Sequence, residues 1–281
     1  MNLFENKYII INSLCLIILL LFKTTESSGQ AYPSINVSVG ISNPSGELGG
    51  NLITENESGF IFISPEFLTD NYANTTGVTI TGVLSIPVDR RGIFSALISG
   101  SYSYFNIFRG ESFGTGKENN LSVPVAYDSR FSVSTAGFGI QVNPFSGNKI
   151  SPFINSSFTL NILSLSLLKD NYFSAIFNDA FRMGVNTFAG IAVSLNREYS
   201  IDISGSYHMS NLFLKSNDGS YESRAEFGRE YISFNDEQGV FYSNLSSPGS
   251  VPSTVNGKTK NVNWWSINLG VNIILGNTGK K

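Results

Sequence analysis

The 281-residue chain holds one cysteine and one histidine, and only 14% of its residues are charged where a soluble domain usually carries about 25%. Each shortage excludes something. The cysteine, Cys15, falls in an apolar stretch near the start, behind the bulky Leu14. The rest of the chain therefore has no disulfide framework and no thiol chemistry to draw on, and a lipid-modified N-terminal cysteine is not expected. A lone histidine gives no zinc-type ligand spacing, and neither a phosphate loop nor a dinucleotide fingerprint occurs, so no metal and no cofactor is expected. A net charge of −3 offers no basic field to a nucleic acid. After residue 31 no run approaches the roughly 18 continuous apolar residues of a membrane helix, so any crossing there has to be made by strands.

What is present is alternation. In residues 182–210, Met183, Val185, Thr187, Ala189, Ile191, Val193 and Leu195 share one parity, and Arg182, Gly184, Asn186, Gly190 and Ser194 the other. That is the two-residue side-chain period of a strand with one apolar face. After the turn Asn196-Arg197-Glu198-Tyr199 the pattern resumes, with Ile201, Ile203, Gly205, Tyr207 and Met209 set against Asp202, Ser204, Ser206, His208 and Ser210. Similar runs open at Ile35, Val78 and Ile93, end at Val142, pass through Ile154 to Ile162, and close the chain from Trp265 to Leu275. The count is eight. In the fourth run Phe131 and Val133 have the wrong parity, which predicts either a bulge or a part that projects above the membrane.

Short turns at Asp89–Gly92 and 196–199 alternate with long polar connections at 43–75, 107–128, 166–178 and 214–262. A single up-and-down antiparallel barrel explains this, with an even strand number that lets the first and last strands pair. Parity alone does not distinguish a membrane barrel from a soluble one of lipocalin type, in which the faces are reversed. The polar faces here are Ser, Asn, Thr and Gly with few charges, unlike a soluble exterior studded with Lys and Glu. The expected fold is therefore all-β: an eight-stranded transmembrane barrel over 32–281, with long extracellular loops.

Residues 1–31 read as a signal peptide helix. Lys7 precedes an apolar run from Tyr8 to Phe22, broken only by Asn12 and Ser13, and Gly29-Gln30-Ala31 supplies the small residues of a cleavage site. An uncleaved anchor helix is the other reading, for which the run is short.

The export signal, the opening strand at 34–44, the turn and strand NPFSGNKISPF from Asn143 and the closing strand NWWSINLGVNIIL from Asn263 together resemble the small bacterial outer-membrane β-barrel proteins of the OmpA/OmpX-like group. The resemblance covers essentially all of the chain after the signal and rests on pattern, with no single diagnostic motif. It implies a cell outer membrane of Gram-negative type as the location. The implied partners are outer-membrane lipid, lipopolysaccharide and the barrel assembly machinery. Members commonly end on an aromatic residue in the last strand, whereas this chain continues through Gly276 to Lys281.

Two sets of residues are candidates for function. His208-Met209-Ser210-Asn211, with Glu222 fourteen positions after the histidine, is similar to the His-x-Ser-Asn and Glu arrangement of the PagL-type lipid A deacylases. By that resemblance Ser210 is the nucleophile, His208 its base, Glu222 the orienting acid and Asn211 part of the oxyanion hole. Residues i and i+2 of a strand do share a face. The parity, however, aims both at the barrel interior, away from a bilayer substrate. Leu212 also replaces the small residue usual there. The second set is Tyr221, Phe227, Tyr231, Phe234, Phe241 and Tyr242, aromatics in the polar last loop that could bind an extracellular ligand or pack on one another. With eight strands the interior is filled by side chains, which disfavours transport. A structural or surface-recognition role is the expectation, with the deacylase as the alternative.

Overall fold

The chain divides into a segment Met1–Gln30 and a body Ala31–Lys281. The computed structural model describes residues 32–50, 54–55, 61–62, 72, 74–106, 112–118, 121–169, 173–216, 221–222, 229–234, 236–237 and 259–276. The expected signal peptide lies outside them. Eight long strands form the body: β1 (Ser34–Ser45), β2 (Gly77–Pro87), β3 (Phe94–Tyr104), β4 (Leu121–Val142), β5 (Ile150–Lys169), β6 (Ala180–Ser194), β7 (Tyr199–Phe213) and β8 (Asn263–Ile274). Each pairs antiparallel with its sequence neighbours, and β8 returns to β1 in a twelve-residue register from Ser34↔Ile274 to Ser45↔Asn263. The eight long strands thus close into a barrel. Among the described residues no helix is long and apolar enough to cross a membrane.

Strand parity sorts the side chains as the sequence requires. Val37, Val39, Ile80, Phe138, Ile140, Phe158, Ile191, Ile203, Leu269 and Val271 are exposed on the outer wall, and Val185 is half-exposed there. Ser42, Thr79, Ser103, Thr135, Asn161, Ser206 and Ser266 are buried inside. Their hydroxyls and amides link across strands, Ser42 to Thr79 at 2.6 Å, Thr79 to Ser103 at 2.7 Å, Thr135 to Asn161 at 2.8 Å and Ser206 to Ser266 at 2.9 Å. Such links satisfy polar groups that burial would otherwise leave at a cost.

The tight turns are built from their own side chains. Asp89 accepts the N–H groups of Arg91 at 3.0 Å and Phe94 at 2.6 Å, and Gly92 adopts a φ of 67° between them. Asn196 accepts from Glu198 and Tyr199, both at 2.8 Å. Asp and Asn turn chemistry of this kind fixes hairpin register.

At the opposite end the sequence expectation needs correction. Residues 107–128 and 166–178, expected as loops, contribute strand Ser112–Glu118, the first part of β4, the end of β5 and strand Phe173–Phe177. The last connection adds Tyr221–Glu222 and Arg229–Ile232, the latter parallel to Phe173–Phe177. The β4–β5 hairpin therefore stands above the rim, with 22 and 20 residues against 11 to 15 in the other six strands. Phe131 and Val133 involve no bulge. Their register to β3 and β5 is unbroken, and they share the inward parity of Thr135. The apparent slip arises because at this end the interior itself is apolar.

Candidate functional site

That apolar interior is a plug across the barrel mouth. Leu48, Tyr72, Phe105, Phe131, Leu163 and Trp264 are fully buried there, from strands and loops far apart in sequence. Tyr72, from the first long connection, stacks on Phe234, from the last, with ring centroids 5.5 Å apart and planes 9° apart. Phe105 lies edge-on to Trp264 at 5.6 Å. Burial, with the Asp236 carboxylate adding to it, holds the Tyr72 phenol well above its ordinary pKa.

A buried ion pair locks this plug to the wall. Arg182 of β6 donates from Nε and Nη2 to the two oxygens of Asp236 at 2.9 and 2.8 Å, and further to the carbonyls of Phe181 and Phe234. Asp236 also accepts from Asn211 Nδ2 at 2.8 Å and from the Ser216 N–H at 2.9 Å. Both partners are buried, so the two-pronged geometry and the extra donors are what make the pair tolerable. Around it the base of the last loop is pinched shut, the N–H of Lys260 donating to Asp236 O at 2.9 Å and Thr259 Oγ1 to Glu237 O at 2.8 Å.

The histidine motif lies directly beneath. Met183 pairs with Phe213 but Val185 with Met209, so β7 carries extra residues at 210–212 opposite Gly184. A side chain at Gly184 would overlap the Met209 carbonyl, which makes glycine the residue this close approach requires. The bulge turns both Ser210 and Asn211 inward, as bulges re-aim side chains. His208, 0% exposed, lies flat against Trp264 with centroids 4.7 Å apart and meets the Phe188 ring edge-on at 5.5 Å.

Of the proposed catalytic members, His208 and Ser210 are not bonded to each other. His208 Nε2 is 3.0 Å from Ser206 Oγ and 3.4 Å from Ser266 Oγ, while the Ser210 hydroxyl donates to the Val262 carbonyl at 2.8 Å. Among the described residues His208 Nδ1 has no partner and no acid orients the ring. Asn211 gives its amide hydrogens to Asp236 and the Lys260 carbonyl, and its oxygen takes the Val262 N–H, which leaves nothing to donate to an oxyanion. Glu222 lies in strand Tyr221–Glu222 opposite Tyr231, and the side chains of Tyr221, Glu222 and Tyr231 lie outside the described set.

Of the loop aromatics, Phe234 is 3% exposed and faces inward, so it packs the plug and presents no surface to a ligand. Phe227, Phe241 and Tyr242 lie outside the described residues. Sequence reasoning missed Arg182, Asp236, Tyr72 and Trp264. Two signals were available. Arg182 is a charge on the inward parity of β6, and two adjacent tryptophans, Trp264 and Trp265, cannot both face outward. Among the described residues no three His, Cys, Asp or Glu side chains cluster to hold a metal.

No protein-family model and no curated relative matches the chain. Among solved structures it is similar to neisserial surface protein A, at 10% identity and a TM-score of 0.42, covering 86% of this chain and 97% of that one. It is also similar to Ail, the attachment invasion locus protein of Yersinia pestis, at 9% identity and a TM-score of 0.35 over 87% and 99% of the two chains. The same Yersinia protein in complex with the heparin analogue sucrose octasulfate gives 0.34. At these scores the likeness carries no argument, and the fold rests on the pairings described above.

Proposed function

We propose that the protein is a non-enzymatic outer-membrane β-barrel, exported by a cleaved signal peptide, whose structural or surface-recognition role is carried by its long loops. The observation that supports this best is the outer wall. Val37, Val39, Ile41, Ile80, Phe138, Ile140, Phe158, Ile203, Ile267 and Leu269 are each more than half exposed on a closed barrel whose inside, below the plug, is largely polar. A water-soluble protein rarely presents a contiguous apolar surface beyond a few hundred Å². A bilayer is the solvent in which such a wall is stable, and closure satisfies every backbone group within it. The surrounding partners are then outer-membrane lipid and lipopolysaccharide, with insertion by the barrel assembly machinery.

The plug supports a recognition role over transport, because side chains fill the mouth. The pinch at Asp236 and Lys260 closes the base of the last loop, whose intervening residues would be the ones specialised for contact with an extracellular ligand.

Two measurements test this reading. The protein should fractionate with the outer membrane, need detergent for solubility and migrate differently on a gel before and after heating. A monodisperse protein in detergent-free buffer overturns it. Replacing residues 238–258 by a short glycine-serine link should leave the heat-modifiable barrel intact and remove whatever surface binding intact cells show. An epitope inserted at Ser247 should be reached on intact cells, and detection only after permeabilisation reverses the orientation.

A further inference from the structure

Below the plug, towards the short turns, the barrel is hollow. A cavity of about 430 Å³ opens at the turn end beside Ser146 and Arg197. It narrows into an inner chamber of about 80 Å³. The two share Ser34, Ser85, Gln141, Asn143, Ala192 and Asn272 in their walls and so adjoin. The inner volume has room for an ion with a few waters.

The chamber is lined by oxygens and by one carboxylate. Asp202 of β7, 4% exposed, is the acidic residue in its wall, and no lysine, arginine or histidine lines it. The carboxylate reaches across β8 to the Asn36 amide of β1, which donates to it. Gly270 makes that reach possible, since a Cβ there would come within 2.5 Å of Asp202 Oδ2. Three further oxygens in the chamber wall, Thr81 Oγ1, Asn155 Oδ1 and Asn272 Oδ1, are buried with no hydrogen-bond partner. Thr81 is 2% and Asn155 6% exposed, so both lie deep in the chamber wall.

A buried carboxylate among unpartnered acceptors is costly unless positive charge joins them. We propose that the chamber binds a monovalent cation of sodium or potassium size, held by the Asp202 carboxylate together with the neutral oxygens of Thr81, Asn155 and Asn272. The donor set selects this class. Calcium takes six to eight oxygens and draws its affinity from the number of charged ligands, and a single carboxylate supplies little of that. Transition metals favour imidazole or thiolate, which the wall lacks. Neutral oxygens in place of a hydration shell are the way potassium is held in channels. The inference does not depend on where the barrel resides.

The experiment uses the purified full-length protein in detergent, at constant ionic strength, in sodium, potassium or choline chloride. Thermal unfolding should be shifted upward and saturably by one alkali ion relative to choline, which is too large for the chamber. The shift should vanish in Asp202→Asn and shrink in Thr81→Val. Crystals soaked in a thallium(I) salt should show an anomalous peak against Asp202. Equal unfolding in choline and both alkali salts, together with no thallium peak in the chamber, overturns the proposal and leaves a chamber that holds water beside a protonated Asp202. If Asp202→Asn fails to fold, the wild-type salt comparison and the thallium peak still decide.

Discussion

The two ends of the barrel interior share a wall and differ in what fills it. At the turn end serine, asparagine and threonine line a hollow that contains Asp202, and at the loop end phenylalanine, leucine and tryptophan pack solid around Arg182 and Asp236. Outside, the strands carry an apolar face around the turn end and the middle, whereas at the loop end β4 and β5 turn Arg130, Ser132, Ser134, Ser164 and Ser166 outward. The comparison teaches that backbone pairing closes the barrel from end to end, while the side chains of each parity are free to change chemistry along the axis. Charge follows the same division. The loop end holds its carboxylate in a direct ion pair, and the turn end holds one beside an amide and open space.

The largest expected effect comes from breaking the loop-end lock. Asp236→Ala leaves Arg182 charged, buried and without its carboxylate, a situation that costs about 3–5 kcal/mol. Unfolding of the purified variant in urea, followed by loss of the heat-modifiable band, should show a destabilisation of that order. Replacing Arg182 and Asp236 together by apolar residues of similar volume should cost far less. If the single and double variants lose the same stability, the ion pair does not lock the plug and the contrast between the ends loses its energetic basis.

How much of this was legible beforehand divides along the same line. All eight strands, the turns at their lower end and every outward apolar residue named above could be read from alternation, because over that part of the barrel the outer face is apolar and the inner face polar. Phe131 and Val133 could not, since a rule that treats apolar residues as the outer face fails where the faces are exchanged, with these two buried inside and Arg130, Ser132 and Ser134 turned outward. Asn211 was placed by a bulge that no local pattern announces. The Arg182–Asp236 pair joins residues 54 apart, and nothing in either segment names the other. The hydrolase-like motif was legible as a string, yet its meaning depends on register. His208 is bonded to Ser206, with which it shares a face, and Ser210 to a carbonyl beyond the end of β8.

The next effect tests the shared outer wall. Within the proposed bilayer, Leu269→Arg should cost about 2–4 kcal/mol near the midplane. Ser204→Arg, one strand away and facing inward, should act through crowding of the chamber instead. Lipid-exposed labelling should mark Leu269 and spare Ser204. Labelling of Ser204 in place of Leu269 would turn the barrel inside out.

A smaller effect is expected at Ser210. Its hydroxyl donates to the Val262 carbonyl at 2.8 Å, but that carbonyl also accepts the Ser210 N–H at 3.0 Å, so Ser210→Ala leaves the acceptor satisfied. The loss should be about 0.5–1.5 kcal/mol, a single hydrogen bond. Wild type and variant should both release no acyl chain from purified lipopolysaccharide. Release by the wild type that disappears in Ser210→Ala establishes the deacylase and requires the mouth to open around His208.

The smallest effect belongs to the turn end, at Asp89, which is held by the exposed turn itself. The Phe94 N–H, with those of Ile93 and Arg91 assisting, keeps the Asp89 carboxyl below its ordinary range. A carboxylate whose folded pKa is depressed contributes stability that is full above its unfolded value of about 4 and is lost as pH falls through the folded value. The group is open to solvent, so that contribution is slight. Asp89→Asn keeps an acceptor for the Phe94 N–H and removes the titration. The difference in Tm between wild type and variant should therefore be constant from pH 5 to 8 by the linkage relation and should narrow only below about pH 4. A difference that instead drifts across the neutral range would mean that Asp89 interacts with charges beyond its own turn, and the turn end would no longer be the half held by local hydrogen bonds alone.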